Sequence, residues 1–153
     1  MKLSKNFTVE ELMRSDTATR LGIINVPAAH NVESLRKLAE NVLQPVRDHF
    51  GPIRITSGYR CPALCGAIGS SPNSNHTRGE AADIEPVDRS IKLVDVLSWI
   101  HDNLEYRELI AEYFPGGWVH VAYREGGNDR VLKLKDPVHN YSRVSIDYIK
   151  DVY

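Results

Sequence analysis

Only two cysteines occur in the 153 residues, Cys61 and Cys65, so neither a disulfide framework nor a four-thiolate metal cluster organises this chain. No run of about 18 apolar residues is present, which excludes a membrane-spanning helix. An excess of either charge is missing as well. The 19 Lys and Arg stand against 20 Asp and Glu, and the basic residues are scattered, so nucleic acid is not an expected partner. Internal repeats, low-complexity tracts and linker-like stretches are absent. What remains is an ordinary globular composition, in a chain whose length suits one domain over residues 1–153 and a core built without staples. Cys61 and Cys65 are read as reduced packing residues, since no further cysteine lies near them. The N-terminus, Met1-Lys2-Leu3-Ser4-Lys5-Asn6, begins with positive charge but has no apolar segment after it, so no secretory signal is read.

Local patterns assign most of the elements. Thr8-Val9-Glu10-Glu11 reads as a capping box opening a helix to about Arg20, stopped by Gly22. Asn31 is the expected cap of a second helix, with Val32, Leu35, Leu38, Ala39, Val42, Leu43, Val46 and Phe50 at helical spacing. Pro45 should kink it, and Gly51-Pro52 should end it. Ile53–Gly58 reads as a strand, Pro62–Ile68 as a short helix, and residues 69–75 as a loop. Ala81–Glu85 reads as a strand, and Ser90 as the cap of a helix through about Asn103. Leu109–Tyr113 and Trp118–Tyr123 bracket Phe114-Pro115-Gly116-Gly117, a hairpin signal, and Val131–Leu134 follows as a further strand. The stretch from Val144 to Tyr153 fits either strand or helix. Helices and strands in mixed order, with a hairpin, imply an α+β fold whose antiparallel sheet is backed by helices.

One short segment carries chemistry. Residues 74–83 read Ser-Asn-His-Thr-Arg-Gly-Glu-Ala-Ala-Asp, placing an imidazole and a carboxylate seven positions apart. If Gly79-Glu80 forms a tight two-residue turn, His76 faces Asp83 across it, about 5 Å apart at Cβ. His120 follows in the apolar run Trp118-Val119-His120-Val121. Two histidines and one carboxylate are a common ligand set for catalytic zinc, with the fourth position left to water. His30, His49, His101 and His139 offer no comparable spacing and are not assigned to metal.

The pattern Ser-x-His-x-x-Gly-x-Ala-x-Asp resembles the signature of the zinc D-alanyl-D-alanine carboxypeptidases and related peptidoglycan endopeptidases, which share the hedgehog/DD-peptidase fold. Five fixed positions match by chance at a frequency on the order of 10⁻⁴ in a chain this long. Ile55-Thr56-Ser57-Gly58-Tyr59-Arg60 resembles the segment upstream of the family's first ligand, and Trp118–Val121 resembles the strand carrying its last. The resemblance runs to about residue 124 and implies one Zn²⁺ per chain held by His76, Asp83 and His120. It implies a peptidoglycan peptide as substrate, bound by Arg60 and Ser74, with Arg60 also facing the developing oxyanion. Ser74 is alternatively an orienting partner of His76. Cys65 departs from the family, which more often has Asn there.

The base departs as well. Several members carry a carboxylate three residues before the last histidine, where this chain has Gly117. A hairpin centred on Gly116 would pair Glu112 with His120, making Glu112 the expected general base. Glu85 is its rival, and Glu80 is expected to be solvated in the turn. Tyr59 is read as a packing residue, and Trp118 as either a lip of the substrate groove or core, with core preferred. The implied protein is a monomeric, endolysin-like zinc metallopeptidase of phage or bacterial type, cytoplasmic until released and acting at the cell wall. Gly117 favours a second reading, a non-catalytic zinc-bound binding or phage structural module of the same fold.

Overall fold

The computed structural model describes residues 1–153. Its centre is a six-stranded sheet made of β1 (Ile53–Ser57), β2 (Ala81–Pro86), β3 (Glu108–Glu112), β4 (Trp118–Ala122), β5 (Val131–Lys135) and β6 (Ser142–Arg143). The strand order is β1-β2-β4-β3-β5-β6, and every neighbouring pair is antiparallel except β3–β5. This is the α+β architecture expected from the sequence.

Alternation along the strands separates two faces. Ala82, Ile84, Leu109, Ala111, Val119, Val121, Leu132 and Leu134 are buried on one face. Against it pack α3 (Ala29–Leu38), α4 (Gln44–Phe50) and α6 (Leu93–Asn103), the short α5 (Pro62–Ala67) follows β1, and one cluster of buried side chains extends from Leu3 to Ile149. In α6, Leu93, Val96, Leu97 and Ile100 are buried at helical spacing, each stabilising by roughly 1.5–3 kcal/mol. The opposite face is polar, and there the register aligns one row across all six strands: Ser57, Asp83, His120, Ile110, Lys133 and Arg143. Residues directly opposed across a ladder share a face, so this row places a carboxylate beside an imidazole.

Several local expectations shift. The first helix is two, α1 (Val9–Met13) and α2 (Asp16–Leu21), because Ser15 Oγ accepts from Ala18 N–H at 3.1 Å and starts a new helix. Gly22 closes α2 at φ 69°, as expected. Asn31 sits inside the first turn of α3 rather than before it, and its Oδ1 accepts from Ala28 N–H at 3.3 Å. Pro45 does not interrupt the long helix. Residues Ala39–Leu43 form a π-helical turn just before it, which takes up the clash and the missing donor that proline brings. Ser90 does not cap α6; its N–H and Oγ donate to Asp88 Oδ1, and the helix starts at Leu93. The C-terminal segment contains β6 and a helix, α7 (Ile146–Val152).

Glu80 is buried, contrary to the expected solvation. Its carboxylate accepts from Arg78 Nε at 2.8 Å and from Arg124 Nε and Nη2 at 2.8 Å each. Burial opposes its charge, but the two guanidinium groups outweigh burial and hold it below the ordinary glutamate value of 4.5. Its stabilising contribution is therefore present above that value and is lost as pH falls through the lowered one. Glu80→Ala is expected to cost about 1–3 kcal/mol at pH 7, the lower end reflecting the partly exposed arginines. Urea unfolding at pH 7 and pH 3 checks this: the difference between wild type and variant should shrink at the lower pH.

Candidate metal centre

His76 does not sit on a strand facing Asp83. It lies in a 3₁₀ turn, Asn75–Arg78, closed by Gly79 at φ 75°. A side chain at Gly79 would also press on the Asn31 carbonyl, so glycine is required there twice over. Ser74 Oγ accepts from His76 N–H at 3.2 Å, which caps the turn and orients the histidine. His76 Nδ1 lies 2.7 Å from the Gly58 carbonyl. A carbonyl only accepts, so the proton is assigned to Nδ1, and Nε2 presents its lone pair to the cleft. Asp83 on β2 and His120 on β4 are direct cross-strand partners.

The three side chains converge. His76 Nε2 lies 3.4 Å from Asp83 Oδ1 and 3.3 Å from His120 Nδ1, and His120 Nδ1 lies 3.0 Å from Asp83 Oδ1. Tetrahedral zinc with bonds of about 2.0–2.1 Å spaces its ligand atoms about 3.3 Å apart, so this triangle fits the ion. All three residues are buried. Asp83 is held well below the usual carboxylate range: burial opposes its charge, and the two imidazoles outweigh burial. Burial lowers His76 below 6.5. His120 is pushed up to about 9, since Asp83 and Glu108 together outweigh its burial.

The surrounding residues hold the ligands in place. Arg60 Nη2 donates to Asp83 Oδ2 at 3.1 Å and Nε to Ser57 Oγ at 2.9 Å, leaving Oδ1 for the centre. Nη1 reaches Ser70 Oγ at a longer 3.4 Å. Glu108 went unassigned in the sequence, yet its Oε1 lies 3.2 Å from His120 Nε2, and Lys133 Nζ donates to its Oε2 at 2.8 Å. The His120–Glu108 contact is off the ring N–H axis, so Nε2 forms no hydrogen bond. Attraction to His120 and Lys133 overcomes burial and draws Glu108 down to about 2.

Glu112 is not opposite His120. The hairpin centres on Pro115, which pairs Glu112 with Trp118 and Ile110 with His120. This register differs from the expected one by two residues, so Glu112 keeps its face. Its Oε1 lies 4.0 Å from His120 Nδ1. Burial and then the charge of Asp83 raise its pKa above 4.5. Glu85 instead pairs with Arg54 at 2.8 Å and does not line the cleft. Trp118 is half-buried at the cleft wall, not in the core, with its buried Nε1–H unpartnered. Tyr59 is buried in the core, as expected of a packing residue. The cleft, about 480 Å³, is bounded by the Gly69–Asn75 loop, Arg60, Trp118 and Tyr141.

The other sequence candidates stay apart from the centre. Cys61 and Cys65 are buried free thiols, and Cys65 Sγ lies 3.2 Å from Thr77 Oγ1. His101 bonds Tyr106, His139 bonds Asp136, and His49 stacks on Trp99. His30 is exposed.

The vacant carboxylate position has a steric cause. A Cβ on Gly117 would fall 1.8 Å from the Glu112 carbonyl oxygen, inside van der Waals contact. Gly117→Glu is therefore expected not to supply a base but to destabilise by at least about 2 kcal/mol, with distortion of the hairpin that carries Glu112. Thermal unfolding and activity measured together check this; a stable variant with raised activity would contradict it.

No helix is long and apolar enough to cross a membrane. No curated protein matches the chain. A family model described as peptidase M15 matches residues 5–122, well over half of the chain and all three converging side chains. The chain belongs to the peptidase M15 family, the zinc D-Ala-D-Ala carboxypeptidase family.

Proposed function

We propose that this protein hydrolyses stem peptides of peptidoglycan, as a carboxypeptidase or endopeptidase, with one zinc ion held by His76 Nε2, Asp83 Oδ1 and His120 Nδ1. The observation that carries the proposal is the donor triangle of 3.0–3.4 Å beside the buried carboxylate of Glu112. A zinc ion there supplies Lewis acidity, polarising a carbonyl and bringing the pKa of a bound water to about 7.

The residues around it take the remaining roles. Glu112 Oε1, within one water of the ligand atoms, accepts the proton released as water adds to the scissile carbonyl. It then returns that proton to the departing amine. Its raised pKa suits both transfers. Arg60 fixes Asp83 through Nη2 and lines the cleft, where its guanidinium stabilises the charge developing on the carbonyl oxygen. Ser74 acts through the His76 backbone and borders the substrate cleft. Gly117 favours a non-catalytic module, and the carboxylate of Glu112 in the cleft supports the catalytic reading instead.

The test is incubation of purified peptidoglycan with zinc-loaded and chelator-treated protein, followed by mass spectrometry of the soluble fragments. New peptide termini in the zinc-loaded sample alone are expected. Intact stem peptides after incubation with protein holding full zinc would contradict the proposal.

A further inference from the structure

The family match ends at Ala122, yet the sheet of the metal centre continues through β5 and β6. Leu132 and Leu134 point into the core, so Lys133 faces the cleft side, and Arg143 opposes it on β6. Both lie in the row containing Asp83 and His120. Strands are spaced about 4.8 Å apart, which sets Lys133 about 10 Å and Arg143 about 14 Å from His120 along that row.

A second cavity of about 280 Å³ opens there and shares Asn75 and Glu108 with the main cleft. Its charged lining is Arg78, Arg107, Lys133 and Arg143 against Glu108 and Asp129, an excess of positive charge. Arg78 is committed to Glu80, and Arg107 donates to the Gly127 carbonyl at 3.1 Å. Lys133 spends one donor on Glu108, whereas Arg143 is exposed, lines the cavity and makes no side-chain hydrogen bond or ion pair. Such a fork matches a carboxylate in two parallel hydrogen bonds.

We propose that Arg143 and Lys133 form a carboxylate-binding subsite that selects peptides bearing an acid group some distance from the scissile bond. An extended peptide advances about 3.3 Å per residue, so that group lies three or four residues away. The subsite extends the peptidase reading above and rests on it for the direction of the bound chain.

The test uses stem-peptide ligands that differ only in one acid group, present as carboxylate or as carboxamide and moved one residue at a time. Binding to zinc-loaded Glu112→Gln protein is measured by calorimetry, and cleavage by wild type in parallel. At three or four residues from the cut, the carboxylate form should bind at least about tenfold more tightly. That ratio should fall to within about twofold of one when Arg143→Gln is added, and Arg143→Lys should retain only part of it, because an ammonium keeps the charge but not the two parallel bonds. Equal affinities at every position, or a preference that survives Arg143→Gln, would overturn the subsite. Preference in binding with no cleavage of any ligand would instead count against the peptidase reading and leave the subsite supported.

Discussion

Replacing Glu112 with Gln is expected to lower kcat/KM for peptide hydrolysis by about 10²–10⁴ at neutral pH, with zinc still bound. The amide keeps the shape and the contacts with Trp118 and His120 but cannot accept a proton. Glu112 is not among the three converging ligand groups, so metal content should stay near one per chain. The effect should also appear in the pH profile. A base must be ionised, so wild-type activity is present above the pKa of Glu112 and lost as pH falls through it. Burial and Asp83 raise that pKa, so the acid limb should lie above the ordinary 4.5. The variant should lack this limb. Equal activity of wild type and Glu112→Gln at equal zinc content would transfer the role of base elsewhere.

The second large effect concerns the metal itself. Without zinc, His120 retains its proton to about pH 9, because Asp83 and Glu108 stabilise the imidazolium against the opposing effect of burial. His76 is already neutral at pH 7, since burial lowers it, and Asp83 is already ionised. Only His120 must therefore give up a proton when zinc binds. Binding at pH 7 is expected to release close to one proton, and affinity to rise about tenfold per pH unit until about pH 9. Calorimetry in two buffers of different ionisation enthalpy measures this directly, and zero release at pH 7 would contradict it. His76→Ala should abolish stoichiometric binding. It should also abolish the stabilisation that zinc confers, about 2.7 kcal/mol at a hundredfold excess over Kd, visible as a lost shift in Tm.

The ligand residues were legible in the sequence because their side-chain chemistry and spacing are local. His76 and Asp83 lie within one short segment, and His120 lies in a strand whose alternation is plain. The geometry bringing them together was less legible. The 3₁₀ turn at Asn75–Arg78 depends on Ser74 as cap and on the Gly58 carbonyl, which is 18 residues away in sequence. The hairpin register turned on which residue occupies the centre of the turn, and hydrophobic pattern specifies only the face. That is why Glu112 was assigned to the correct face with the wrong partner.

Glu108 shows the opposite case. Starting β3 one residue earlier would have put Glu108, Ile110 and Glu112 on one face, the face that carries His120. The signal was present, but a charged residue at a strand boundary reads equally well as the end of a loop. Glu80 was misread because Arg124, its principal partner, lies 44 residues away, and no local pattern reports that pairing. Tertiary ion pairs and caps, rather than periodicity, account for most of the differences.

The convergence of His76, Asp83 and His120 on one ion is most directly tested by anomalous diffraction at the zinc edge from crystals grown with zinc. One strong peak is expected within about 2.0–2.2 Å of His76 Nε2, Asp83 Oδ1 and His120 Nδ1. A fully zinc-loaded crystal whose anomalous peak lies away from these atoms, or touches only one of them, would contradict it.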